Sequence, residues 1–198
     1  FNYEVMAEDV KIFMREHSIP SAHVLGHSMG GKTAMQFALT FPEHMDKLVV
    51  VDVAPRKYAS AHDDILDAMC SLNLRDLTTR RQADDEMAKR LPDVSLRQFI
   101  LKNLTRTETG DLKWKVNLSI IKKHYPEIAD DITAHGKFDK PSLYIKGGKS
   151  RYVVHDDEPR TKKLFPHSKI VTIHGTGHWV HADQPEAFGD TVLKFLHP

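Results

Sequence analysis

The sequence predicts an α/β fold: a parallel sheet with helices on both of its faces. Three observations predict it. Helix and strand patterns alternate over residues 3–53 and again over residues 141–196. Residues 47–53, KLVVVDV, form a nearly unbroken β-branched run, the pattern of a central parallel strand covered on both faces. A glycine-bounded serine, Gly26-His27-Ser28-Met29-Gly30, stands between one strand pattern and the helix pattern that follows it.

Taken in order, Met6, Val10, Phe13 and Met14 recur at helical spacing and predict an amphipathic helix over residues 3–17, ended by Ile19-Pro20. Residues 22–25 predict a short strand stopped at Gly26, and residues 32–41 a helix ended by Pro42. From Pro55 to about His135 the strand runs disappear. Capping-box spacing recurs there, Ser60 with Asp63, Thr79 with Gln82 and Ser95 with Gln98, and predicts a helical insert. Residues 107–111, TETGD, read as a turn or hairpin tip. The earlier rhythm resumes with a strand over 142–145 ending at Gly147-Gly148, a helix over 158–165 and a strand over 169–173. A closing helix over 185–196 places Phe188, Val192 and Phe195 on one face. The domain reading is therefore a core of residues 1–54 and 136–198 and a helical cap over 55–135.

Composition excludes several function classes. A formal net charge of +1 on 198 residues gives no field that favours nucleic acid or an anionic membrane. The short basic runs, Arg80-Arg81 and Lys162-Lys163, read as solvated helix faces. No apolar run reaches the ~20 residues needed to span a bilayer. The single cysteine, Cys70, makes neither an internal disulfide nor a redox pair and reads as a buried small hydrophobe, which fits a reducing compartment. The expected location is cytoplasmic, or the mitochondrial matrix if a targeting segment precedes Phe1.

Ser28 is the candidate nucleophile. In a strand-to-helix elbow, flanking glycines let the backbone pass closely, and the hydroxyl is presented at the carboxyl edge of the sheet. The Met29 N–H then points where an oxyanion would form. A serine hydroxyl needs a base to remove its proton. His178, in Gly175-Thr176-Gly177-His178-Trp179, follows the last strand in a glycine-bounded loop and is favoured over His174 and His181. His17, His44 and His62 read as surface residues. The base needs a carboxylate on its other nitrogen. Asp52, at the carboxyl end of the central strand, is favoured by geometry. Asp156 and Asp157 are the alternatives, and their ordinary role is to complement a helix dipole. His27 and Trp179, beside the nucleophile and the base, are candidate substrate contacts. So are Ile100 and Trp114 of the insert, although Ile65, Met69, Phe99, Ile100 and Trp114 equally suit a plain core.

These residues resemble the α/β-hydrolase superfamily, and within it a group of bacterial esterases and mitochondrial relatives. The matching pieces are residues 26–32 (GHSMGGK), 51–55 (VDVAP), 147–153 (GGKSRYV) and 175–183 (GTGHWVHAD), with 99–104 (FILKNL) and 114–117 (WKVN) in the insert. The resemblance implies an α/β-hydrolase fold with a cap and two-step hydrolysis of short to medium acyl esters or thioesters. It also implies that the catalytic acid follows the strand after the nucleophile, which supports Asp52 and accounts for Ser150 in the usual acid loop. No metal or organic cofactor is required. The family carries further strands and a His-Gly oxyanion loop ahead of the nucleophile strand. Nothing before Tyr3 corresponds to them, so the sequence is expected to be either a piece of a longer protein or a minimal variant; only in the second case would one sheet edge be bare and able to pair with a second copy. A perhydrolase or carbon–carbon bond hydrolase could use the same three residues. A catalytically silent binding protein is the rival outside enzymes. A dehalogenase would need a carboxylate where Ser28 stands.

Overall fold

The computed structural model describes residues 1–59 and 62–197. It comprises two compact units, Phe1–Lys57 with Asp130–Pro198, and Tyr58–Ala129. The first unit opens with α1 (Tyr3–Glu16), capped by the Asn2 side chain, which accepts from the Val5 N–H. β1 (Ala22–His27) runs to His27, beyond the predicted stop at Gly26, and α2 (Met29–Thr40) begins directly after Ser28 rather than at residue 32. β2 (Met45–Val51) buries Leu48, Val49, Val50 and Val51, as a central strand should. It stops short of residue 53 because Asp52 takes φ +50°, outside the extended region.

In the second unit, α3 (Asp63–Ser71), α4 (Arg80–Ala88) and α5 (Val94–Leu101) precede a hairpin of β3 (Leu104–Arg106) and β4 (Leu112–Trp114), then α6 (Leu118–Lys123) and α7 (Tyr125–Ala129). The Thr79–Gln82 capping box forms. The Ser95–Gln98 box does not. α5 starts two residues earlier, at Val94, and Asp93 caps it by accepting from the Leu96 N–H at 3.1 Å. The Ser60–Asp63 pairing involves a residue outside those described. The hairpin closes where predicted, with the Thr107 N–H donating to the Asp111 carbonyl at 2.8 Å. Leu66, Met69, Met87, Leu101 and Leu104 belong to this unit's own core. Cys70 is exposed, contrary to expectation. The apolar stripe of α3 runs through Ile65, Ala68, Met69 and Leu72 and leaves Cys70 at its margin.

The first unit resumes with β5 (Ser142–Gly147), α8 (Glu158–Leu164), β6 (Ser168–Ile173), α9 (Val180–Asp183) and α10 (Pro185–Leu196). The sheet runs β1-β2-β5-β6, every neighbouring pair parallel. Val49, Val51, Leu143 and Ile145 form one buried face, with Val180, Val192, Phe188 and Phe195 from α9 and α10. The alternate residues, Leu48, Val50 and Tyr144, are buried on the other face, where the rings of Tyr144 and Phe165 lie 5.8 Å apart. Fully burying one such side chain contributes about 1.5–3 kcal/mol.

Lys32 of α2 is 2% exposed. Its ammonium donates to the Asp130 carbonyl and lies 5.4 Å from the centre of the Tyr3 ring. Burial pushes its pKa down to about 8, against the pull of Asp131 and Asp130. Among the described residues, no helix is long and apolar enough to cross a membrane.

Candidate active site

Because the four strands of the sheet are parallel, their carboxyl ends share one edge, and the loops that leave them meet there. Ser28 leaves β1 at φ +53°, a left-handed conformation that a serine adopts at a cost of about 1–3 kcal/mol. Its N–H donates to the Val51 carbonyl at 3.0 Å. Packing enforces the turn. A Cβ on Gly26 would lie 2.1 Å from the Gly30 carbonyl oxygen, and one on Gly31 would lie 2.7 Å from Val53 Cγ1. Gly30 is different: a Cβ there would meet nothing within 4 Å. The close approach therefore needs glycine at 26 and 31, not at 30 as the motif suggests.

Asp52 leaves β2 fully buried, and its N–H donates to the Ile145 carbonyl at 2.8 Å. Its Oδ1 accepts from the Gly147 N–H at 2.9 Å. Its Oδ2 accepts both from the Ser150 hydroxyl and from His178 Nδ1, the latter at 2.8 Å. Ser150, in the loop where the family usually carries an acid, is thus a donor to Asp52, which follows the neighbouring strand. The Tyr152 N–H in turn donates to Ser150 Oγ at 3.2 Å. Asp157 is engaged elsewhere, with Arg56 Nε at 2.9 Å and the Val154 N–H at 2.9 Å, and Asp156 is exposed.

His178 leaves β6 in a loop pinned at both ends. The Thr176 hydroxyl donates to the Ile173 carbonyl at 2.8 Å, and the Gly177 N–H donates to Asp183 Oδ2 at 2.7 Å. The end of β5 presses against this loop: a Cβ on Gly147 would lie 2.0 Å from the Gly177 carbonyl oxygen. His178 Nε2 lies 3.1 Å from Ser28 Oγ. A carboxylate can only accept, so Nδ1 carries the ring proton and Nε2 offers its lone pair to the serine hydroxyl. Tyr152 stacks on the His178 ring at 4.0 Å and 25°. His174 and His181 are exposed, and the His181 ring meets the edge of Phe188 at 5.9 Å.

Met29 opens α2, so its N–H precedes the first intrahelical bonds. His27 Nε2 lies 2.9 Å from the His178 carbonyl. Trp179 is 37% exposed, its ring 5.2 Å from that of His27. The other two expected substrate contacts serve the second unit's own core. Ile100 is only 4% exposed within it, and Trp114 packs against it. The spacing that offers an apolar side chain to a ligand is the same spacing that buries it, so sequence could not separate the two. The contacts that the sequence does not announce, Tyr152 on the His178 ring and His27 on the His178 carbonyl, join residues far apart in the chain. Among the described residues, no group of three or more His, Cys, Asp or Glu is placed to hold a metal ion.

The profile of the alpha/beta hydrolase fold matches residues 1–185. The chain is 34% identical over 200 residues to the sn-1-specific diacylglycerol lipase ABHD11 of Xenopus laevis, covering 98% of this chain and 64% of that protein. It is 34% identical over 199 residues to esterase YbfF of Escherichia coli, covering 99% and 75% respectively. A solved marine microorganism esterase superimposes with a TM-score of 0.96 at 39% identity, over 98% of this chain and 77% of that one. The chain spans slightly less than two thirds of the length of the ABHD11 relatives, between 62% and 65%. On the profile match and these identities, the chain belongs to the alpha/beta hydrolase fold family.

Proposed function

We propose that this chain carries the acyl-transfer centre of an ester hydrolase, with Ser28 as nucleophile, His178 as general base and Asp52 as the carboxylate that orients it. The observation that carries the reading is the unbroken relay Asp52–His178–Ser28, 2.8 and 3.1 Å long, at one sheet edge. The names of the relatives, a lipase and two esterases, support an ester substrate.

In the first half-reaction, Ser28 Oγ attacks the ester or thioester carbonyl while His178 Nε2 takes its proton. Asp52 stabilises the imidazolium, and the Met29 N–H donates to the oxyanion. His178 then protonates the leaving alcohol or thiol, giving an acyl-Ser28. Water enters and attacks the acyl carbon as it loses a proton to His178, which passes that proton to Ser28 Oγ as the ester bond breaks, so that the acid leaves and the free serine and neutral histidine are restored. The substrate class is a carboxylic ester or acyl thioester with a short to medium acyl chain.

The test is the intact mass of the 22.6 kDa protein before and after a fluorophosphonate. One adduct is expected, absent in Ser28→Ala. An adduct that persists in Ser28→Ala, or no adduct on the folded parent, sinks the reading.

A further inference from the structure

We propose that His27 is a positioning residue for the base: its Nε2–H holds the main chain of His178 in place, so that the imidazole stays in line between Asp52 and Ser28. This rests on the function proposed above and adds to it a residue outside the relay.

The hydrogen bond runs from the end of β1 to the loop after β6, joining residues 151 apart in the chain. β1 and β6 are the outermost strands of the order β1-β2-β5-β6, so no ladder bond ties them to each other. The acceptor is a carbonyl oxygen, which cannot donate, so the proton sits on His27 Nε2. The two rings lie 4.6 Å apart, and His27 also meets Trp179 at 5.2 Å and His181 at 5.0 Å. Burial lowers the pKa of His27, which keeps the ring neutral beside the base. The base is thereby held by three different means: the Asp52 carboxylate fixes its tautomer, Tyr152 stacks on its ring, and His27 holds its backbone. A side chain that packs as a spacer needs only bulk. One that positions by donation needs an N–H at the place of Nε2.

That difference is the test. The amide nitrogen of Gln can reach the place of histidine Nε2, whereas the shorter Asn reaches only the place of Nδ1. His27→Gln, His27→Asn and His27→Leu are compared with the parent on a p-nitrophenyl ester and by proton NMR of the low-field His178 Nδ1–H resonance. His27→Leu and His27→Asn are expected to lose about 10- to 100-fold in kcat with KM little changed, the scale of a small misplacement of a catalytic group. His27→Gln is expected to keep kcat within about 3-fold of the parent. The low-field proton should persist in the parent and in His27→Gln and broaden in the other two. Parent-like kcat and a sharp resonance in His27→Leu overturn the proposal, as does a His27→Gln variant as slow as His27→Asn. The resonance is read without turnover, so a parent that proves inactive refutes the proposed function while leaving the His27 result readable. If His27→Leu does not fold, the Gln and Asn pair decides alone.

Discussion

Replacing Lys32 by Met removes an ammonium group from a place that is 2% exposed, and the consequence depends on pH in a way that can be worked out. Burial lowers the folded-state pKa from an ordinary 10.5 to about 8. That gap corresponds to about 3 kcal/mol of folding free energy. Below pH 8 both the folded and the unfolded chain hold the proton, and the whole cost is present. Between 8 and 10.5 the unfolded chain binds the proton and the folded chain has released it, so stability rises with pH. Above 10.5 the cost is gone. At pH 7, Lys32→Met relieves the desolvation but leaves the Asp130 carbonyl without its donor, which costs about 1–3 kcal/mol. The two nearly cancel, and the variant should be within about 1 kcal/mol of the parent. Urea unfolding of both proteins from pH 7 to 10.5 measures the difference, in which every other titrating group cancels. The parent should gain about 3 kcal/mol on the variant across that range. A difference that stays constant with pH refutes the reasoning, because Lys32 would then titrate like an exposed lysine.

Three further outcomes are expected. Gly26→Ala should destabilise the protein by more than about 3 kcal/mol or prevent folding, whereas Gly30→Ala should be neutral or stabilising by about 0.5–1 kcal/mol; paired urea titrations separate them. Asp52→Asn should lower kcat on an ester by about 10³–10⁴-fold, through loss of the tautomer that the carboxylate imposes, and a parent-like rate would remove Asp52 from the mechanism. Because the folded-state pKa of His27 lies below the ordinary 6.5, the unfolded chain takes up its proton first as pH falls. Stability should therefore decline from about pH 6.5 downward, and thermal unfolding of His27→Gln should show a shallower decline than the parent.

The parts legible in the sequence are those encoded by local pattern. Leu48 to Val51 could be placed as a central strand because a strand buried on both faces has no polar alternation to hide it. Ser28 could be placed at a strand-to-helix turn because glycines mark where the backbone cannot carry a Cβ. The local signal nevertheless named one glycine too many, since Gly30 has open space around it and Gly31 carries the contact. Ser95 and Asp93 both suit a helix cap, and only the start of α5 at Val94 decides between them. The contacts of Ser150, Tyr152 and His27 around Asp52 and His178 were not legible at all. Each joins residues at the ends of different strands or in the loops that follow them, and nothing in the spacing of either segment records where the other lies.

The order of the strands also bears on how the site comes into being. Ser28, Asp52, Ser150 and His178 follow β1, β2, β5 and β6 in turn, so position along the chain repeats position across the sheet. The first two are separated by a short α-helical crossover, but β5 must find β2 across the whole of Tyr58–Ala129, a loop whose closure entropy grows with its length. His178 is delivered only with β6, at the far edge, 150 residues from the Ser28 hydroxyl that it meets at 3.1 Å. On the proposed mechanism, reactivity of Ser28 therefore reports the docking of β6: a chain caught during refolding with only β1 and β2 paired would have its elbow formed and its serine inert.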